Sequence, residues 1–223
     1  MSSPHRAADE LTFLLRARFG SSAGISSRVI NGGYALLPEE EFYVRSAAAR
    51  RKEEFSTGRW CARQALLDLG VPSSPILVGQ WREPLWPAGV IGSITHATTL
   101  CAAVVARSEL WQGIGIDVLD VQAGGFLLKD TVGLIAQEEE ERSARAVTPA
   151  NVDPSHLLFS AKESAIKAVS GRLQRFVDFR EVLVRFEGDR FEAFCGPLGI
   201  PLSGWWNTIN EQIVTGSVLY LNR

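Results

Sequence analysis

The stretch Ala161-Lys-Glu-Ser-Ala-Ile-Lys-Ala-Val-Ser-Gly171 reads as an Ala-rich amphipathic helix, and it loosely echoes Ala62-Arg-Gln-Ala-Leu-Leu-Asp-Leu-Gly70. A glycine-ended helix of this kind is common, so the echo alone leaves both coincidence and internal duplication open. The segments around it are ordered helix, strands, helix, strands. The first helical stretch runs from Pro38 to Leu69, where Gly70 and Pro72 supply stop signals. Val90 to Ala106 is mostly extended, and its apolar run Leu100 to Ala106 reads as a buried strand. Gly113 to Val118 is a further strand. A second helical region begins near Ala136, includes the acidic run Glu138 to Glu141, pauses at Pro149 and Pro154, and resumes from Ser155 to Val169. Phe179 to Phe194 predicts a hairpin turning at Gly188-Asp189, and Trp205 to Leu221 closes the chain as a strand-like segment.

Composition narrows the chemistry. The chain has 223 residues, 46% of them hydrophobic, enough to bury a substantial core in one domain or two compact halves. A net charge of −2 gives no global attraction to polyanions, so phosphate binding has to come from a local cluster of cations and nucleic acid is not an expected partner. Three widely spaced cysteines never form the CxxC pairs of a zinc site, and they suit a reducing cytoplasm. The apolar run Leu11 to Leu15 is too short for a membrane span or a secretory signal, so no membrane association or targeting is expected. With three histidines, chemistry is expected to fall to carboxylates and lysines.

Three segments carry that chemistry. In Phe159-Ser-Ala-Lys-Glu-Ser-Ala-Ile-Lys-Ala168, helical spacing sets Glu163 and Lys167 one turn apart on one face. This is compatible with an ordinary surface ion pair worth about 0.2–0.5 kcal/mol. In Gly113 to Leu119, Ile114, Ile116 and Val118 share one strand face, with Gly115, Asp117 and Leu119 on the other. Asp117 therefore sits at a strand exit, beside a cation, or on a metal, since burying an unpaired carboxylate is costly. Gly92-Ser-Ile-Thr-His96 offers hydroxyls and an imidazole at a strand end; they suit phosphate oxygens, and a lone histidine also serves as a hydrogen-bonded structural residue. Upstream, Arg51, Lys52, Arg59 and Arg63 recur at helical spacings around Phe55 and Trp60. They form either a solvated helix face or a phosphate grip.

Taken together and in order, Gly92-Ser-Ile-Thr-His96, Gly115-Ile-Asp117 and Phe159-Ser-Ala-Lys-Glu-Ser164 with Lys167-Ala168 resemble the motifs of the 4'-phosphopantetheinyl transferase superfamily. Arg51-Lys-Glu-Glu-Phe55, Gly58-Arg-Trp-Cys-Ala-Arg63 and Arg82-Glu-Pro-Leu-Trp-Pro87 extend the likeness, which covers roughly residues 38 to 171 and looks most like the enterobactin synthetase component D (Sfp-type) branch. The resemblance implies an α+β fold, a pseudo-dimer of two similar halves, each a helix packed on a small antiparallel sheet. The halves are expected over residues 1–110 and 111–223, the second carrying the metal motifs. It further implies transfer of 4'-phosphopantetheine from coenzyme A to a serine of an acyl, peptidyl or aryl carrier protein, in siderophore or secondary-metabolite biosynthesis, by a cytoplasmic monomer.

Carried over residue by residue, Asp117 and Glu163 would ligate Mg2+, with Glu163 also the proton acceptor and Lys167 a catalytic pyrophosphate contact. Arg51, Arg59, His96 and Lys162 would hold coenzyme A phosphates, with Ser93 and Thr95 as secondary contacts. One position departs from the pattern. Many relatives carry a second carboxylate two residues after the aspartate, where this chain has Leu119. Either a water fills that place, or a bulge re-aims Asp120, which a regular strand would point to the opposite face. Leu119 also motivates an alternative, a coenzyme A or carrier binder with lost or altered transfer, while chance motifs in an unrelated protein would predict no coenzyme A binding.

Overall fold

The computed structural model describes residues 4–121, 131–196 and 199–220, and it divides into two compact units, Met1–Trp111 and Gln112–Arg223. Both are helices on antiparallel sheets, the expected α+β class. No helix among the described residues is long and apolar enough to cross a membrane.

In the first unit, α1 (Pro4–Phe19) leads into β1 (Ala23–Val29). A short α2 (Pro38–Glu41) and a 3-10 turn (Phe42–Val44) precede α3 (Ala49–Asp68). Two-residue strands β2 (Leu77–Val78) and β3 (Pro84–Leu85) pair with each other, and β4 (Val90–His96) and β5 (Leu100–Arg107) follow. The main sheet has the order β1-β5-β4. Along β5, Cys101, Ala103 and Val105 meet Cys61, Ala62, Ala65 and Leu66 of α3, all buried. A Cβ at Gly24 would lie 2.0 Å from the Ala65 carbonyl, so β1 comes against α3 backbone to backbone. On the opposite face of β1, Ser27 donates to Ala8 O and lies 2.6 Å from Thr12 Oγ1, fixing α1.

Two features here differ from the sequence reading. Neither α1 nor β1 was expected. The stripe Ala7, Ala8, Leu11, Leu15, buried at helical spacing, is the signal that the single apolar run concealed. The expected continuous helix from Pro38 to Leu69 is broken after Glu41, because Glu40 turns inward. It is fully buried, and it accepts from Leu37 N (3.0 Å), Ile76 N (3.0 Å) and Arg63 Nη1 (2.5 Å).

The second unit is a five-stranded antiparallel sheet, β6-β10-β9-β8-β7, built from β6 (Trp111–Asp120), β7 (Val182–Glu187), β8 (Arg190–Cys195), β9 (Ile200–Ile209) and β10 (Gln212–Tyr220). Two helices, α4 (Glu138–Val147) and α5 (Pro154–Leu173), complete it. Its core joins Leu157, Leu158, Ala161 and Ala165 of α5 to Val182, Val184, Leu202 and Ile213 of the sheet. Gly188 takes a φ of +58° at the predicted β7–β8 turn. Trp205 to Leu221 is two strands, not one, with the chain reversing at Asn210 (φ +54°); Leu221 itself lies outside the described residues. Gly171 does not stop α5. The helix runs on to Leu173 and is closed by Gln174 in the left-handed conformation.

A buried carboxylate clamp recurs. Glu140 accepts from Gln137 N (2.8 Å) and Val184 N (2.9 Å) and pairs with Lys162 Nζ (2.8 Å), as Glu40 does with Leu37, Ile76 and Arg63. Arg63 and Lys162 each follow the alanine that opens the sequence echo, Ala62 and Ala161. The echo therefore marks matching places on the two 20-residue helices α3 and α5.

Candidate active site

The second unit gathers carboxylates and cations at β6 and α5. The face of β6 that carries Gly113 and Gly115 lies against α5, where a Cβ would come within 1.9 Å of Ala168 O and 1.8 Å of Ser164 O. That side-chain-free contact brings Asp117, the next residue on the same face, up to the helix. Lys167 Nζ donates to Asp117 Oδ1 (2.7 Å) and to Ile116 O (3.2 Å), and Ser160 Oγ donates to Asp117 Oδ2 (2.8 Å). Glu163 Oε2 stands 3.9 Å from the same ammonium. Lys167 thus belongs first to Asp117, fifty residues away in sequence, and only loosely to the Glu163 that helical spacing offered it.

Among the described residues, Lys167 is the ammonium that both the Asp117 and the Glu163 carboxylates approach. Burial pushes the Glu163 carboxyl above its ordinary value; Lys167 opposes this and the Asp117 charge adds to it. An all-oxygen donor pair with excess negative charge fits a hard divalent cation such as Mg2+, which readily fills its remaining positions with water. Among the described residues no group of three or more His, Cys, Asp or Glu side chains is arranged to hold a metal, and Asp117 and Glu163 are the pair that stands together here. β6 stays regular through Asp120, whose Oδ1 accepts from Gln212 Nε2 (2.6 Å) on β10. Asp120 therefore makes its own contact with β10.

In the first unit, Arg51, Lys52, Arg59 and Arg63 of α3 do not share one face. Arg51 Nη1 lies 3.3 Å from His96 Nε2 at the end of β4, with Glu54 bridging the pair at 3.5 and 3.9 Å. Lys52 instead lines a cavity of about 390 Å³ with Tyr34, Val44, Arg45 and Ser56. Arg63 is committed to Glu40. Arg59 is buried over the Phe55 ring (4.2 Å), and its Nε has no hydrogen-bond partner among the described residues. Burial lowers its guanidinium to about 10; Glu40 opposes this and Arg51 contributes to it. A buried cation with an unfilled donor is prepared for an anion.

Three expected ligand contacts are placed elsewhere. Lys162 is fully buried, donates to Phe179 O (3.0 Å) and Val182 O (2.7 Å) as well as pairing with Glu140, and so has no hydrogen left for a phosphate. Burial lowers its ammonium and Glu140 opposes the shift. Ser93 and Thr95 are each 2% exposed and point to the face of β4 opposite His96. Sequence reasoning in turn gave no role to Glu54 or Ser160, although both lie inside the quoted motifs. Thr215, which meets Ser160 from β10, left no sequence signal.

Comparison with known proteins identifies the family. Residues 39–106 match the model of the 4'-phosphopantetheinyl transferase N-terminal domain. The 4'-phosphopantetheinyl transferase PptT of Mycobacterium tuberculosis is 36% identical over 203 residues, 84% of this chain and 87% of that one. The 4'-phosphopantetheinyl transferase Svp of Streptomyces mobaraensis is 37% identical over 156 residues, covering 69% and 62%. Enterobactin synthase component D of Escherichia coli is 38% identical over 125 residues, covering 56% and 58%. With that identity along most of its length, and with the motif residues set on β4, β6 and α5, the chain belongs to the 4'-phosphopantetheinyl transferase family.

Proposed function

We propose that the protein is a magnesium-dependent transferase that moves 4'-phosphopantetheine from coenzyme A to a serine of an acyl, peptidyl or aryl carrier protein, releasing adenosine 3',5'-bisphosphate. The observation that carries this reading is the Asp117–Lys167–Glu163 arrangement, two carboxylates sharing one ammonium. Asp117 and Glu163 would hold Mg2+, which when bound supplies positive charge to the diphosphate and to the departing nucleotide.

The chain's own groups do the rest. The carrier hydroxyl attacks the phosphorus next to the pantetheine, the bridging P–O bond breaks, and its electron pair leaves with the nucleotide phosphate. Glu163 accepts the hydroxyl proton directly or through a water. Lys167 turns its ammonium to the charge growing on the leaving phosphate. Arg59, with its open Nε, and Arg51 with His96 hold coenzyme A phosphates. Catalysis in this account is chiefly electrostatic positioning. The enzyme acts in the cytoplasm as a monomer, with no nucleic acid or membrane partner.

The test is incubation with coenzyme A, Mg2+ and a panel of apo carriers, followed by mass measurement of each carrier. One carrier gaining the mass of a phosphopantetheine group is the expected result, and no gain across the panel contradicts it. Leu119 favours one second reading, a binder that has lost transfer; there coenzyme A binds and every carrier mass stays unchanged.

A further inference from the structure

We propose that Ser160 and Thr215 are positioning residues that fix the Asp117 carboxylate for its metal, an inference that rests on the assignment of Asp117 as a magnesium ligand. Ser160, Glu163 and Lys167 stand at i, i+3 and i+7 on α5 and so share one face. From that face Ser160 and Lys167 take the two oxygens of one carboxylate, Oδ2 at 2.8 Å and Oδ1 at 2.7 Å. The two grips differ in kind. Lys167 is partly exposed and can exchange Asp117 for another anion, whereas Ser160 is fully buried and has no water to turn to.

Thr215 holds Ser160 in turn. Its Oγ1 donates to Ser160 O (2.8 Å) and lies 3.0 Å from Ser160 Oγ, and it too is fully buried. A carboxylate only accepts, so the Ser160 proton goes to Asp117, and Thr215 has one proton to share between the Ser160 carbonyl and hydroxyl. Thr215 thus holds Ser160 at both its carbonyl and its hydroxyl, and Ser160 gives its own proton to the carboxylate. With Oδ2 held, Oδ1 is the oxygen left on the side of Lys167 and Glu163. Metal ligands are commonly oriented by such partners, whose loss costs on the order of 10–100-fold in metal affinity or activity.

A second rung of the same design supplies the control. Ser164 Oγ lies 2.9 Å from Ser217 Oγ, one turn along α5 and two residues along β10, with no hydrogen bond to Asp117. If the hydroxyls serve only to seat α5 on the sheet, the two rungs are equivalent.

The experiment titrates Mn2+ by electron paramagnetic resonance into the protein with coenzyme A present, taking Asp117→Asn as the baseline for metal on coenzyme A alone. Ser160→Ala should weaken Mn2+ binding on the order of 10–100-fold. The near-isosteric Thr215→Val should give a smaller loss in the same direction and serves if Ser160→Ala does not fold. Ser164→Ala should bind as the wild type does. In carrier transfer, Ser160→Ala should raise half-saturating Mg2+ with kcat restored at high metal. Equal Mn2+ affinity in Ser160→Ala, Thr215→Val and wild type, with loss in Asp117→Asn, overturns the positioning role and leaves the metal assignment standing. Wild-type affinity in Asp117→Asn overturns both.

Discussion

At Leu119 the chain lacks a carboxylate that the family pattern leads one to expect, and the neighbouring Asp120 is occupied with Gln212 across to β10. Leu119 shares the strand face of Asp117. Leu119→Glu should therefore keep transfer and shift its metal dependence, seen as a changed half-saturating Mg2+ in the carrier mass assay; complete loss of transfer would contradict a water in that place. A different carboxylate sets an acid limit on stability. Hydrogen bonds from Arg175, and then from Asp178 N, hold the Glu181 carboxyl down at about 2 against an ordinary 4.5. Its folded value lies below its unfolded value, so its contribution is complete above pH 4.5 and is lost as pH falls through about 2. Glu181→Gln should flatten that acid limb in urea melts run at stepped pH, and an unchanged slope would refute it. Strand and helix periods made the faces of Asp117, Glu163 and Lys167 legible, while it was the resemblance that singled them out as a candidate site. It misplaced Lys162, because nothing local says that a lysine beside a catalytic-looking glutamate points into the core.

The elements α3 and α5 are held by buried clamps as well as by apolar packing. Lys162→Met leaves the Glu140 carboxylate buried with only backbone donors, and the expected loss is about 3–5 kcal/mol in urea unfolding. Glu140→Gln together with Lys162→Met should recover most of it, and a loss below about 1 kcal/mol for the single variant would show that the clamp is not needed. Close approach is the other fastening. Gly115→Ala puts a Cβ 1.8 Å from Ser164 O, backbone against side chain, so α5 must shift, and a cost of at least about 1–3 kcal/mol is expected in the same measurement. Strands β4, β5 and β6 and the β7–β8 turn were legible because β-branched runs and Gly188 are local signals. The inward turn of Glu40, which breaks the first helix, depends on Arg63 and Ile76, partners far along the chain.

The whole molecule divides its chemistry between the two units: in the first, Arg59 with an open donor and the Arg51–His96 pair; in the second, the Asp117–Lys167–Glu163 set. The sequence echo located the matching helices, and the family match accounts for most of the chain's length. The proposed function stands or falls on Asp117 and Glu163 holding Mg2+. The most direct measurement is the initial rate of carrier mass gain against Mg2+ concentration for wild type and for Glu163→Ala. Wild type should saturate with Mg2+ and stop when the metal is chelated, and Glu163→Ala should show no transfer at any Mg2+ concentration. Full activity of Glu163→Ala with an unchanged Mg2+ curve would contradict the assignment.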